Sequence, residues 1–397
     1  MKKTFAALSL VFASIGFLVC QGCARREMNA TVEKTIATSL ATLRRSAASV
    51  DDSLCFPSHG KEGKWKVKSS ANWVSGFYGG CQWYAYAISG DSVYDSLARR
   101  WTMGIEKEKY NRNTHDLGFR FMCTFGNGIR FSKDDAFRSY CSPVRDTASV
   151  TLSQRFLPQA GVLSSDWDNE PVEGTVPCVI DIMMNLEILF ETALSTGDRR
   201  LYDIAVSHAN TTWKDFVRPD GGTYHIVRYD AVTGEVRDKG QLQGDTKEST
   251  WSRGHAWLVY GMVVAYRYTK DPAYLEYAKK SADYFIAHLN DDNVAPWDFQ
   301  SGDRQPDASA SAVVASALYE MISYLPEGKE RKHYSEWADK MLLALCGPEY
   351  FIGGETDCLL DHSVQYYHLG YNVGKPSIYA DYYFMEALYR YKSLYLH

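Results

Sequence analysis

Asp181 lies in a stretch that otherwise offers almost only apolar side chains. Cys178-Val179-Ile180-Asp181-Ile182-Met183-Met184-Asn185-Leu186-Glu187-Ile188-Leu189-Phe190 is apolar nearly all the way round, the pattern of a helix enclosed by other helices. A carboxylate without a partner there would cost roughly 2–7 kcal/mol. Such a group persists because a buried partner satisfies it or because chemistry uses it. Two further segments favour chemistry: Thr114-His115-Asp116-Leu117-Gly118-Phe119 and Thr250-Trp251-Ser252-Arg253-Gly254-His255-Ala256-Trp257. Together they predict a carboxylate pair, Asp116 and Asp181, in an aromatic pocket that also holds an arginine. Two carboxylates in one apolar pocket push their pKa values apart, one staying ionised while the other keeps a proton near neutrality. General acid–base catalysis requires that division of labour.

Position along the helices supports the pairing. Asp116 follows Thr114-His115 at the start of a predicted helix, where unpaired backbone N–H groups stabilise a carboxylate; plain N-terminal capping is the competing role. Asp181 follows Pro177 and suits a first helical turn, with Asn185 one turn later on the same face. Arg253 opens another buried helix, and its fork of donors suits a carboxylate or a sulfate; a salt bridge to an acid such as Glu248 is the alternative. Trp73, Trp167, Trp251 and Trp257 offer faces for stacking on sugar rings, and Trp257 fits a core equally well. Gly374-Lys375-Pro376-Ser377 reads as a turn or as a contact for a sulfate group.

The elements that must position these residues form a repeating helical hairpin. An apolar helix rich in small residues is followed by a polar turn and then by an amphipathic helix. The pairs read as Gly76–Ser89 with Ser92–Glu108, Asp116–Phe125 with Asp134–Phe156, and Cys178–Ser195 with Arg199–Phe216. Arg253–Tyr268 with Pro272–Leu289 and Ala308–Tyr324 with Glu330–Leu345 continue the series. The turns Ser89-Gly90-Asp91, Thr196-Gly197-Asp198 and Thr269-Lys270-Asp271-Pro272 each place a capping aspartate before the second helix. A final apolar helix, Asp381–Tyr395, takes the N-terminal Met28–Ser49 as its partner. Neither end looks like a polar cap, so an all-α, closed (α/α)6 barrel of six helical hairpins is preferred to an open solenoid. In a barrel the starts of the buried helices share one rim, which brings Asp116, Asp181 and Arg253 together. Asp220 to Val236 breaks the pattern and predicts a β-hairpin at that rim. There His225 and Gln243 would face the cavity, although His225 read alone suits a solvent-facing strand position.

Composition narrows the partners. The net charge of −5 and the lack of a Lys/Arg stripe speak against nucleic acid. Ten Trp and twenty-eight Tyr suit sugar binding or a large core. Lys2 and Lys3 precede an apolar run from Thr4 to Val19 that is too short to span a bilayer. It leads to Gly22-Cys23, so residues 1–23 are expected to be a signal peptide of lipoprotein type, with an ordinary cleaved leader as the alternative and Cys20 as the poorer site. One catalytic domain is expected over 24–397, exported to the periplasm or anchored at the outer membrane. The seven later cysteines show neither metal-ligand nor disulfide-framework spacing, and the histidines show no metal pattern. No metal or cofactor is expected. HExxH, P-loop, GxGxxG and GxSxG signatures are absent.

With these segments in view, the chain resembles the unsaturated glucuronyl hydrolases, family 88 of the glycoside hydrolases, over nearly all of its mature length. The resemblance rests on Trp73-Val74-Ser75-Gly76-Phe77, Thr114 to Phe119, Ile180 to Leu186, Asp220-Gly221-Gly222-Thr223-Tyr224-His225, Gln243-Gly244, Trp251 to Trp257, and Asp381 to Leu388, in the family's order. It implies removal of a 4,5-unsaturated uronic acid from the non-reducing end of lyase-generated oligosaccharides, by adding water across the vinyl ether double bond. Asp181 matches the acid/base that protonates C4 while water reaches C5; the resulting hemiketal opens and releases the next sugar. Asp116 matches the second essential carboxylate. His225, Gln243, Arg253 and Trp257 match substrate-contacting positions, to which Trp73, His115, Trp251 and His255 are added as pocket candidates. The chain departs from the pattern at His255, where Gln is commoner, and at Tyr78-Gly79-Gly80, where a proline-containing stretch is expected. These departures bear on subsites. Family 105, the unsaturated rhamnogalacturonyl hydrolases, shares the barrel and the acid/base, but the segment around Asp116 favours family 88. The expected partner is a glycosaminoglycan-derived unsaturated oligosaccharide, and the expected state a monomer or weak dimer that meets a membrane only through its lipid. The rivals are a non-catalytic, helical glycan-binding lipoprotein and an inverting (α/α)6 hydrolase of saturated glycans.

Overall fold

The computed structural model describes residues 2–50, 55–165 and 167–396, with side chains from Arg25 onward. The leader expected over residues 1–23 lies outside the residues whose side chains are described.

Six helical layers face inward and six cover them. The inner ring runs through α2 (Ser75–Ser89), the broken segment α4 (Leu117–Phe121) and α5 (Asn127–Phe131), α7 (Leu186–Thr196), α9 (Ser252–Thr269), α11 (Ala308–Met321) and α13 (Ile378–Tyr395). Each packs on the next, and α13 packs on α2, which closes the ring. Outside lie α1 (Lys2–Ser49), α3 (Ser92–Gly104), α6 (Asp135–Ser153), α8 (Arg199–Phe216), α10 (Pro272–Ala287) and α12 (Lys329–Leu345). The N-terminal helix does partner the last one: α1 packs on α13, α12 and α2, and the Tyr391 hydroxyl donates to Asn29 Oδ1 at 2.6 Å. The fold is an (α/α)6 barrel, as the helical repeat predicts.

The three matching turns work as their composition requires. Asp91, Asp198 and Asp271 accept the backbone N–H groups of Val93, Arg200 and Ala273, capping α3, α8 and α10. The residue before each cap is left-handed: Gly90 and Gly197 supply that conformation without strain, and Lys270 adopts it at φ 57°.

Two inner segments depart from the predicted helices. Thr175–Val179 is a strand, β5, and Ile180–Asn185 is a 3-10 turn that only then enters α7. The β-branched residues around Pro177 pair antiparallel with β6 (Ile226–Asp230), Cys178 opposite Val227, a partner distant in sequence. The rim hairpin expected over 220–236 is accordingly a three-stranded sheet of β5, β6 and β7 (Val236–Gly240). Between α4 and α5 the helix widens into a π turn at Met122–Gly126, a distortion common beside functional sites. Three further hairpins join β1 (Phe56–Lys61) to β2 (Lys64–Lys68), β3 (Phe156–Leu157) to β4 (Val162–Leu163), and β8 (Ser363–Tyr366) to β9 (Tyr371–Lys375). No helix among the described residues is long and apolar enough to cross a membrane.

Candidate active site

The starts of the inner helices converge on a cavity of about 420 Å³. Ala71–Trp73 precede α2, Asn113–Asp116 precede α4, Asp181 opens the 3-10 turn, and Trp251 and Arg253 begin α9; all line it. Gln243 closes one side, and Gln365, Tyr366 and Tyr371 from β8–β9 form another wall.

Asp116 and Asp181 are joined through Asn185. The Asn185 Nδ2 donates to Asp116 Oδ1 at 3.5 Å and to the Asp181 carbonyl at 3.4 Å, while its Oδ1 accepts Phe119 N–H at 2.9 Å. This clamp depends on Gly118, where a Cβ would lie 2.4 Å from Asn185 Cα. Asp116 does not cap α4 with its side chain, so its carboxylate is not consumed by the role that competes with chemistry. His115 Nε2 lies 3.5 Å from Asp116 Oδ1.

Behind Asp181 stands His225, only 2% exposed, with Nε2 3.3 Å from Asp181 Oδ2. His225 Nδ1 accepts the backbone N–H of Gln243 at 3.2 Å, which leaves the proton on Nε2, facing the carboxylate. Trp251 stacks on the imidazole at 4.4 Å and fixes its plane. Burial alone would raise the Asp181 pKa, but His225, then His115 and Arg253, outweigh it and hold the carboxyl below its usual range. Asp181 is therefore ionised at neutral pH, and is not the proton-holding member that an apolar pair would contain.

Arg253 reaches the cavity but is already tethered. Its Nη1 donates to Asp307 Oδ2 at 2.7 Å and to the Val364 carbonyl, and its Nη2 to the Gln365 carbonyl at 3.1 Å. The acid it pairs with is thus Asp307, not Glu248, which instead accepts the Tyr224 hydroxyl. The guanidinium carbon lies 4.5 Å from the Trp251 ring centroid.

Of the residues singled out by sequence, Trp73, His115, Asp116, Trp167, Asp181, Gln243, Trp251 and Arg253 line the cavity. Three stand off its wall. His225 is buried behind Asp181, neither on the wall nor facing solvent. His255 is fully buried, its Nε2 paired with the Ser281 carbonyl at 2.9 Å, and burial pushes it down to about 4. Trp257 is fully buried between Phe119 and Tyr383. The substrate contacts expected of His255 and Trp257 are not brought to the cavity, because α9 turns their side chains into the packed interior. Lys375 likewise lines a neighbouring cavity instead, and Gly374 beside it is a turn residue at φ 60°.

Sequence reading missed Asn72, Asn113, Arg120, Gln365, Tyr366 and Tyr371. The alternation in Ser363–Tyr366 and Tyr371–Lys375, broken at Gly370, was the available hairpin signal. Nothing local ties Arg120, inside a short apolar helix, to the cavity.

With the geometry in place, comparison with known proteins is specific. The model of Glycosyl Hydrolase Family 88 matches residues 56–349. The chain is similar to an unsaturated glucuronyl hydrolase of Formosa agariphila, 38% identical over 334 residues that cover 82% of each chain. It is 31% identical to an unsaturated chondroitin disaccharide hydrolase of Streptococcus agalactiae, over 82% of this chain and 83% of that one. The crystal structure of an unsaturated glucuronyl hydrolase specific for heparin superposes with a TM-score of 0.86 at 32% identity, covering 92% of this chain and 98% of that one. A barrel rim carrying two carboxylates, with Asn185 bonded to one of them and to the backbone of the other, and a family match over most of the chain, lead to one conclusion: this protein belongs to glycosyl hydrolase family 88.

Proposed function

We propose that the chain is an unsaturated glucuronyl hydrolase acting on glycosaminoglycan-derived oligosaccharides, and that it hydrates the C4=C5 double bond of the terminal uronic acid. The observation that carries this reading is the cavity in which Asn185 clamps Asp116 to the Asp181 segment. Aromatic walls from Trp73, Trp167, Tyr366 and Tyr371 suit sugar faces, and His115, Arg120 and Arg253 suit the sugar carboxylate.

Asp181 protonates C4 and takes a proton from the water that adds to C5. The proton it needs arrives with substrate, because the incoming uronate brings a second negative charge beside it and displaces water, and both changes raise its pKa. His225 holds the carboxylate in place through Nε2–H. Asp116, fixed by Asn185, orients water or sugar. The hemiketal then opens and the leaving sugar departs. The N-terminal segment up to Gly22 fits a leader that exports the chain and leaves it lipidated at Cys23, with the barrel over 24–397.

The conjugated enol ether absorbs in the ultraviolet and the hydrated product does not. Wild-type protein is expected to bleach unsaturated disaccharides from chondroitin, hyaluronan or heparin lyases, and Asp181→Asn to lose at least about 1,000-fold in kcat with folding intact. Binding of these sugars without bleaching, also with unsaturated rhamnogalacturonan fragments, would refute the hydrolase reading and leave a glycan-binding protein.

A further inference from the structure

The catalytic cavity has a charged neighbour that hydration of a disaccharide does not use. The β1–β2 hairpin leads directly into Ala71–Trp73 on the cavity wall. On its other side His59 packs edge-to-face on Tyr371, ring centroids 5.8 Å apart, and Tyr371 is the 39% exposed rim of the same cavity. The hairpin is anchored: Gly60 N–H donates to the Pro376 carbonyl at 2.9 Å, and Trp65 is buried.

Its charge is unlike that of the chain as a whole. Gly60–Lys68 holds four lysines and one glutamate in a protein of net charge −5. Strand alternation puts Lys64, Lys66 and Lys68 on the face opposite Trp65. Lys64 pairs with Asp357 at 3.1 Å. Lys66 and Lys68 are exposed and, among the described residues, have no acidic partner. Lys66 stands opposite His59 in the ladder. Burial, then the positive fields of Lys68 and Lys66, hold the His59 imidazole below its ordinary pKa. Two exposed lysines without an acidic partner among the described residues, on the hairpin that leads into the wall of a sugar-sized cavity, offer positive charge to an anion.

We propose that Lys66 and Lys68 form an outer saccharide subsite, which binds the carboxylate or sulfate of a third or fourth sugar while the unsaturated residue occupies the catalytic cavity. The proposal rests on the hydrolase reading above and extends it to chain length: longer anionic oligosaccharides bind better than disaccharides, and the advantage is electrostatic. Exposed lysine–anion contacts are individually weak and screened by salt, so the gain lies in KM.

The test compares an unsaturated disaccharide with the tetrasaccharide released by the same lyase, on wild-type protein and on Lys66→Gln/Lys68→Gln. The double variant is expected to raise the tetrasaccharide KM about three- to tenfold at low salt, with kcat and all disaccharide constants unchanged. In wild type the tetrasaccharide advantage fades as NaCl rises; in the variant it is absent. Equal loss on both substrates, or no loss on the tetrasaccharide, overturns the proposal. Hyaluronan and sulfated chondroitin tetrasaccharides, run in parallel, distinguish carboxylate from sulfate as the bound group. Calorimetric binding of the same tetrasaccharides to Asp181→Asn, with and without the lysine changes, reads the subsite independently of turnover. A wild type that never bleaches the disaccharide therefore condemns the hydrolase reading, while the binding arm still decides the subsite.

Discussion

As the proposed acid, Asp181 rests in the protonation state opposite to the one that its first step would need. His225, His115 and Arg253 hold it ionised despite burial, whereas protonation of C4 requires the acid form. Since kcat/KM reports the free enzyme, it is expected to fall as pH rises, approaching a tenfold loss per unit where the ionised form dominates. Initial rates at low substrate between pH 4.5 and 8 check this. A flat profile would exclude Asp181 as the acid. The tautomer of His225 follows the same logic: with Nδ1 occupied by Gln243 N–H, the ring can offer Asp181 only a donor. Arg253, held by Asp307 and two carbonyls, presents charge without side-chain freedom, which lowers the entropy cost of using it.

The two carboxylates ride on different elements, and backbone contact between those elements sets their separation. The start of α4 touches the 3-10 turn where Gly118 meets Asn185, so near that a Cβ would also lie 2.8 Å from the Asn185 carbonyl oxygen. These are main-chain atoms and cannot rotate away. Gly118→Ala must push the turn from α4, costing about 1–3 kcal/mol as overpacking does and moving Asp116 relative to Asp181. A shift of about 1 Å in a catalytic group can cost about 100-fold. The expected result is a kcat loss of that order, larger than the change in KM, together with a lowered melting temperature. A variant with wild-type kcat would show that the clamp does not set the geometry. The strand β5 serves the same end: by pairing with β6 it brings His225 behind Asp181, since Val179 lies opposite Ile226.

The closed ring is tied together by a buried polar network. Glu386 accepts hydroxyls from Tyr84, Tyr260 and Ser316 at 2.5, 2.9 and 2.7 Å, and Arg390 joins Glu320 at 2.6 Å. That network ties α2, α9, α11 and α13 around the barrel axis. Two buried histidines are expected to make the molecule sensitive to acid. Burial lowers His208 to about 3 and His255 to about 4, against about 6.5 in an unfolded chain. The unfolded state therefore binds protons first as pH falls below about 6.5. Their stabilising contribution is complete above that pH and is lost progressively toward pH 4 and 3, by roughly 2 kcal/mol per histidine at pH 5. Melting temperature is expected to be highest near or above neutrality and to drop between pH 6.5 and 5; a melt insensitive to that change would contradict the burial of both rings. With turnover expected to gain from acid and stability to lose, the working range is expected to be bounded on both sides.

Much of this was legible in the chain itself. Helical periodicity and the three Asp caps are local, set by contacts within a turn, so the hairpin repeat, the ring and the positions of Asp116 and Arg253 at helix starts could be read directly, whereas Asp181 lies in a 3-10 turn ahead of its helix. The carboxylate in an apolar run marked the site because its burial is costly wherever the run folds. Long-range pairing was not legible. Thr175–Val179 became a strand because β6 was available to it, Arg253 found Asp307 rather than Glu248, and Gln365, Tyr366 and Tyr371 came to the cavity on a late hairpin. Only tertiary structure decided that His225 stands behind Asp181 and that His255 and Trp257 face the core, since the direction of a side chain within the ring depends on neighbours far away in sequence.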